Sequence, residues 1–268
     1  MLGAIIGDIA GSRFEWHNRK SKEFTLFHKA CHYTDDSVMT LAVAQALLEC
    51  GENFKGLERG VIATMQAWGR AYPRVGYGGR FQQWLEQEQP TRYRSFGNGA
   101  AMRVSGCGWA GSSVEEVQRL SKIVTAVTHN HPEGLKGAEA TAVAVFLART
   151  GSTKEAIRSY VQEHYYALDF TLEKIRPSYH FDVSCQGSVP QALEAFLEAE
   201  NFEDAIRNAI SLGGDSDTIG AIAGSVAEAY YGVPTKLREQ ALTYLEPEMV
   251  QLLERFEQHF AARRDAVE

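Results

Sequence analysis

The chain has 268 residues, 44% hydrophobic and 23% charged, and its 27 Lys plus Arg against 34 Asp plus Glu leave a net charge of -7. That composition belongs to a globular protein able to bury its own core, and with no basic stripe in any window it argues against nucleic acid as a partner. The four cysteines, Cys31, Cys50, Cys107 and Cys185, form no CxxC pair, which argues against a thiolate zinc site or a redox pair.

The chain begins MLGAIIGDIAG, which is apolar, interrupted by Asp8 and without a basic leader; the apolar run 38–48 is too short for a bilayer. With thiols expected to be reduced, this predicts a cytoplasmic protein and no membrane partner. In GDIAGSRFE, Asp8 reads as a cap or a buried hydrogen-bonding carboxylate. Glu15, seven residues on, shares its face two turns later if the helix continues, and taken singly it reads as a solvated surface residue. Residues 34–50 (TDDSVMTLAVAQALLEC) recur at helical spacing with Thr34 at the N-cap, and 38–48 lacks a polar face, so this helix is central.

Glycine-rich loops follow at 75–80 and 95–100. In GNGAAMR, Gly97, Asn98 and Gly99 stand at an expected helix start, where free N–H groups approach a phosphate; a plain tight turn is the rival reading. Helices are predicted at 113–127, with Ser113 and Glu116 in capping-box spacing, and at 134–149. Between them, His129 and His131 have no cysteine partners for zinc; a turn before Pro132 or a hydrogen bond to a ligand phosphate fits better. Helices at 188–200, 202–211 and 215–231 follow, the last with Asp215 at its N-cap and a small-residue stripe of Gly220, Ala223, Gly224 and Ala227 that admits close neighbours. Alternating strands are absent. The expected fold is all-α, with about a dozen helices in one domain spanning 1–268, since no linker, repeat or composition shift divides the chain.

The two central helices open alike, one with Thr34, Asp35, Asp36 and Ser37, the other with Asp215, Ser216, Asp217 and Thr218. Singly, each start is explained as an N-cap, since these oxygens accept from free backbone N–H groups and suit the helix dipole. One cap needs one acceptor, however, and each start supplies two carboxylates plus hydroxyls on a helix that runs into the core. If the two ends meet, four carboxylates repel one another unless protonated or compensated. A hard divalent cation, Mg²⁺ or Mn²⁺, is the natural compensation, and four carboxylates balance two such ions. Other metal motifs fit worse: Ile219 and Val226 stand where an EF-hand needs acidic ligands, and Met39 stands where the DDxxD motif of terpene synthases has its third Asp.

The ordered set GDIAGSRFE, YTDDS, GNGAAMR, THNHP, QGSVPQALEAFL and GGDSDTIGAIAG, from about residue 3 to about 232, resembles the ADP-ribosylglycohydrolase family. The resemblance implies an all-helical fold with two metal ions, Mg²⁺ or Mn²⁺, in a central cleft. It assigns Thr34, Asp35, Asp36, Asp215, Asp217 and Thr218 as metal ligands. Glu15 then lies at the metal site, and Glu15, Asp36 or Asp217 handles the proton of the attacking water. Gly97, Asn98, Gly99 and His129 fall near the diphosphate of ADP-ribose. Ser37 replaces the Thr of many members and keeps the hydroxyl; residues 159–184 align with no motif. The implied partner is an ADP-ribosylated protein or ADP-ribose itself. The implied activity is removal of ADP-ribose from arginine, with O-linked serine or a non-catalytic, crystallin-like role as alternatives.

Overall fold

The structure, a computed structural model, describes residues 1–261, so the far end of the expected 1–268 domain lies outside the described residues. The first helix, α1 (Leu2–Ser12), is buried along its whole length, and α2 (Asp35–Glu49) is buried on nearly every side. Two amphipathic helices follow, α3 (Leu57–Ala71), which packs on α2, and α4 (Gly79–Glu86), which packs on α3. A 3-10 turn at Asn98–Ala100 leads to α5 (Ser105–Ala110), α6 (Val114–Ala126) and α7 (Pro132–Arg149). Beyond α8 (Lys154–His164) and α9 (Leu172–Ile175) come α10 (Cys185–Leu197), α11 (Phe202–Ser211) and α12 (Ser216–Tyr231), then α13 (Thr235–Leu242) and α14 (Pro247–Ala261). Among the described residues the fold is therefore all-α, with fourteen α-helices and no strand, and no helix is long and apolar enough to cross a membrane.

All six helices read from periodicity are present, and the shifts at their ends have local causes. Predicted 188–200 begins at Cys185 because Ser184 caps it, accepting from Gly187 N at 3.1 Å, and because Gly97 pairs with Ser184 in an isolated antiparallel bridge. Pro190 therefore lies inside α10, a local penalty that tertiary contact overrides. Ser113 caps α6 as expected, but Glu116 reaches back to Ser112, donor N at 2.9 Å, rather than to Ser113 itself. His131 caps α7, its Nδ1 accepting from Glu133 N at 3.1 Å.

The crossing that organises the molecule is α1 against α12. The small-residue stripe of α12 meets a second stripe, Gly3, Gly7 and Gly11, that periodicity alone did not single out. A methyl group added at Gly7 would sit 2.0 Å from Gly220 O, and one at Gly224 would sit 2.1 Å from Gly3 O. The two backbones are thus in direct contact. At Gly11 the same methyl would meet Ser216 O at 2.4 Å, so the close contact runs on to the first turn of α12. The helix ends at Ser12, and Glu15 lies in the turn beyond it rather than on a continuous helical face.

Candidate active site

Asp8 is the buried hydrogen-bonding carboxylate of the two readings, and it caps a neighbouring helix. It accepts from Thr34 N at 2.9 Å, Thr34 Oγ1 at 2.7 Å, Ser37 N at 3.1 Å and the Ser37 hydroxyl. Thr34 Oγ1 in turn accepts from Asp36 N at 3.2 Å. The start of α2 is thereby satisfied without the carboxylates of Asp35 and Asp36. The start of α12 is different. Gly213 and Gly214, at φ of 70° and 73°, make two successive left-handed residues that only glycine adopts without strain. They deliver Asp215 to the N-cap position, yet its side chain caps nothing in α12. The capping bond expected of Asp215 is replaced by one from Asn98 Nδ2 at 2.6 Å, while the same Nδ2 lies 3.1 Å from Ser188 Oγ.

The two acidic starts do meet. Asp36 and Asp217, each the second residue of its helix, are buried, and Thr218 Oγ1 lies 3.4 Å from Asp36 Oδ2 across the gap. Glu15, Asp215 and Asp217 each bring one oxygen to within 4.8 Å of the others, a group able to hold a metal ion. Asp35 stands apart at the edge of the cleft, its N donating to Val75 O at 2.9 Å and its Oδ1 facing the Gly76 backbone. Asp36 Oδ1 and Asp217 Oδ1 are buried with no hydrogen-bond partner.

Burial pushes every one of these groups towards its protonated form, and neighbouring carboxylates push further. Asp36 and Asp217 are raised well above the usual carboxylate range, Asp35 is raised to about 7, and Glu15 is raised by burial and by Asp215. Asp217 is crowded by the charges of Asp215 and Asp36. That crowding, and the two partnerless oxygens, mark where positive charge is missing. The donor set is all hard oxygen, as a divalent cation of the Mg²⁺ or Ca²⁺ type prefers. The buried acidic cluster therefore fits a metal.

The cluster lines a cleft of about 500 Å³ to which Arg80, Arg103 and His129 also contribute. Gly97 and Gly99 lie at the 3-10 turn Asn98–Ala100, and both border the cleft. His129 is buried, and its Nε2 lies 3.6 Å and 3.5 Å from where a Cβ would stand at Gly97 and Gly99. Asn98 turns its side chain inward to Asp215, so its contact with the acidic cluster was not anticipated. Residues 159–184, which carried no motif, supply Phe181 to the rim, stacked on Trp16 with ring centroids 5.2 Å apart. Trp16 is 73% exposed. Arg103 ends the quoted GNGAAMR motif and was passed over; a cation in an apolar, glycine-rich stretch was the available signal.

Fold and cleft together define an all-helical protein with a cleft lined by both carboxylates and arginines, of a size for a small molecule. The sequence model of the ADP-ribosylglycohydrolase family matches residues 1–266, and the chain belongs to that family, which makes it a glycosyl-bond hydrolase. It is similar to ADP-ribosylhydrolase ARH3 of Homo sapiens, 28% identical over 329 aligned positions that cover 93% of this chain and 90% of that one. It is also similar to ADP-ribosylarginine hydrolase Tri1 of Pseudomonas putida, 24% identical over 282 positions, covering 87% of this chain and 70% of that one. A solved structure described as an ADP-ribosylglycohydrolase-related protein complex matches with a TM-score of 0.71 over 96% of this chain and 95% of its own; at 24% identity it bears on the fold.

Proposed function

We propose that this chain, as one domain working in the cytoplasm, removes ADP-ribose from modified protein side chains by metal-dependent hydrolysis, with arginine as the favoured linkage. The carrying observation is the pair of buried, partnerless oxygens, Asp36 Oδ1 and Asp217 Oδ1, beside three further carboxylates. Two ions, Mg²⁺ or Mn²⁺, would be held by Asp35, Asp36, Asp215, Asp217 and Thr218, with Thr34 adding the lone pair that capping leaves free. Bound there, they supply Lewis acidity to ribose hydroxyls and to a water.

The chain's own residues do the rest. Cleavage at the anomeric carbon builds oxocarbenium-like positive charge on the ribose, and the acidic cluster stabilises it. Gly97, Gly99 and His129 face the diphosphate, and Asn98 holds Asp215 in place. Among Glu15, Asp36 and Asp217, Glu15 is only half-buried, so it is the one placed to pass a proton from the attacking water to solvent. The acidic cluster also attracts a guanidinium leaving group, and the name of the relative Tri1 supports arginine.

The test is release of ADP-ribose from matched peptides modified on arginine or serine, with Mg²⁺, Mn²⁺ or EDTA. Release from the arginine peptide that EDTA abolishes is the expected result. Cleavage of the serine peptide alone would reassign the linkage, and full activity in EDTA would overturn the metal role.

A further inference from the structure

Arg103 is 1% exposed, and among the described residues its guanidinium has no carboxylate within ion-pair distance. A buried charge left so is costly unless something else compensates it. Its Nη2 donates to Thr128 Oγ1 at 2.6 Å and lies 3.4 Å from His129 Nδ1, while Thr128 Oγ1 and His129 Nδ1 are 2.7 Å apart. Its Nε is buried with no partner.

A guanidinium only donates. Thr128 oxygen therefore accepts from Arg103, and the hydroxyl proton is free to go to His129 Nδ1. A proton on Nδ1 itself would point at both the guanidinium N–H and an oxygen already accepting from it. The imidazole proton thus belongs on Nε2, the nitrogen that faces Gly97 and Gly99 in the cleft. Burial, with Arg103 and Arg80 nearby, also holds the ring well below its usual range, so it stays a neutral donor.

We infer that Arg103 is a positioning residue for the anionic middle of the ligand: through Thr128 it fixes the Nε2–H form of His129, and it supplies buried positive charge behind that donor. The inference rests on the reading that the cleft takes ADP-ribose, and it adds the device by which a diphosphate is told from a neutral group. A lone imidazole would populate both ring forms and present an acceptor to the phosphate part of the time.

The experiment combines ¹⁵N NMR of the imidazoles in ligand-free protein with calorimetry of ADP-ribose binding, for wild type, Arg103→Lys, Arg103→Met, Thr128→Val, His129→Gln and His129→Ala. Wild type should show the Nε2–H form. Thr128→Val and Arg103→Met should show mixed ring forms and bind ADP-ribose roughly tenfold or more weakly. Arg103→Lys should fall between, and His129→Gln, whose amide N–H reaches about as far as Nε2, should bind better than His129→Ala. Thermal melts report whether each variant folds, and Thr128→Val carries the test if Arg103→Met does not. An Nδ1–H ring in wild type, or unweakened binding in Thr128→Val, overturns the inference. Wild type that binds no ADP-ribose overturns the functional reading as well, whereas wild-type binding with an Nδ1–H ring overturns the relay alone.

Discussion

Two aspartates at equivalent places, Asp36 and Asp217, carry opposite consequences for activity and for stability. Each keeps one buried oxygen without a partner in the protein. Asp217 to Asn, which removes one of the crowded charges, should cut hydrolysis by roughly a thousandfold and also weaken metal binding. In EDTA the same variant should melt a few degrees higher than wild type, on the order of one or two kcal/mol, because a buried group that resists ionisation has been replaced by a neutral one. Steady-state assays and calorimetric melts check the two halves; a lower melting point in EDTA would show that the carboxylate is satisfied in the metal-free protein. These residues were legible because two chemically alike helix starts are hard to explain as caps. Arg103 and Trp16 were not, since a lone arginine or tryptophan carries no pattern, and their roles arise from partners 25 and 165 positions away, Thr128 and Phe181.

Helices α1 and α12 hold the site by touching backbone to backbone. Gly7→Ala places a methyl 2.0 Å from Gly220 O, where no side chain can move aside. It should cost about 3 kcal/mol or more, above the usual overpacking range. Gly79→Ala, at a helix start with nothing within 4 Å, should leave stability within about half a kcal/mol. Urea melts of the two variants decide it, and equal midpoints would mean that the crossing relaxes. The stripe on α12 was visible in its sequence, but its partner on α1 was hidden by a stretch so apolar that every face looked buried. Helix existence was readable from period, while the start of α10 goes with Gly97 pairing with Ser184, which no local window contains.

Across the whole molecule the acidic cluster ties folding to pH. For a carboxyl whose folded pKa is raised, the contribution to stability is complete below the unfolded value and is lost as pH rises through the folded one. Asp35 moves from 3.8 to about 7, and Asp36 and Asp217 move in the same direction. Metal-free protein should therefore melt progressively lower as pH rises from about 4 to about 7. Saturating Mg²⁺ or Mn²⁺, which binds the ionised form, should flatten or reverse that slope, and at a hundredfold excess over its dissociation constant add about 2.7 kcal/mol. Melting curves across that range with EDTA or metal measure both; parallel curves would remove the cation from the cluster. The all-α class was legible over the whole chain, because helical period survives in every surface helix. The arginines of the cleft were not, because Arg80 and Arg103 reach it from separate segments.

The glycine crossing of α1 and α12 also bears on how this protein would look to a mutational survey scored by activity. Gly7 and Gly220 are not among the residues lining the cleft, yet a side chain at either would collide with the opposite backbone. Such a survey would rank them beside Asp36 and Asp217, and intolerance alone would not tell scaffold from chemistry. Abundance scored in parallel would: the glycine variants should vanish from the cell, while the aspartate variants accumulate and do nothing.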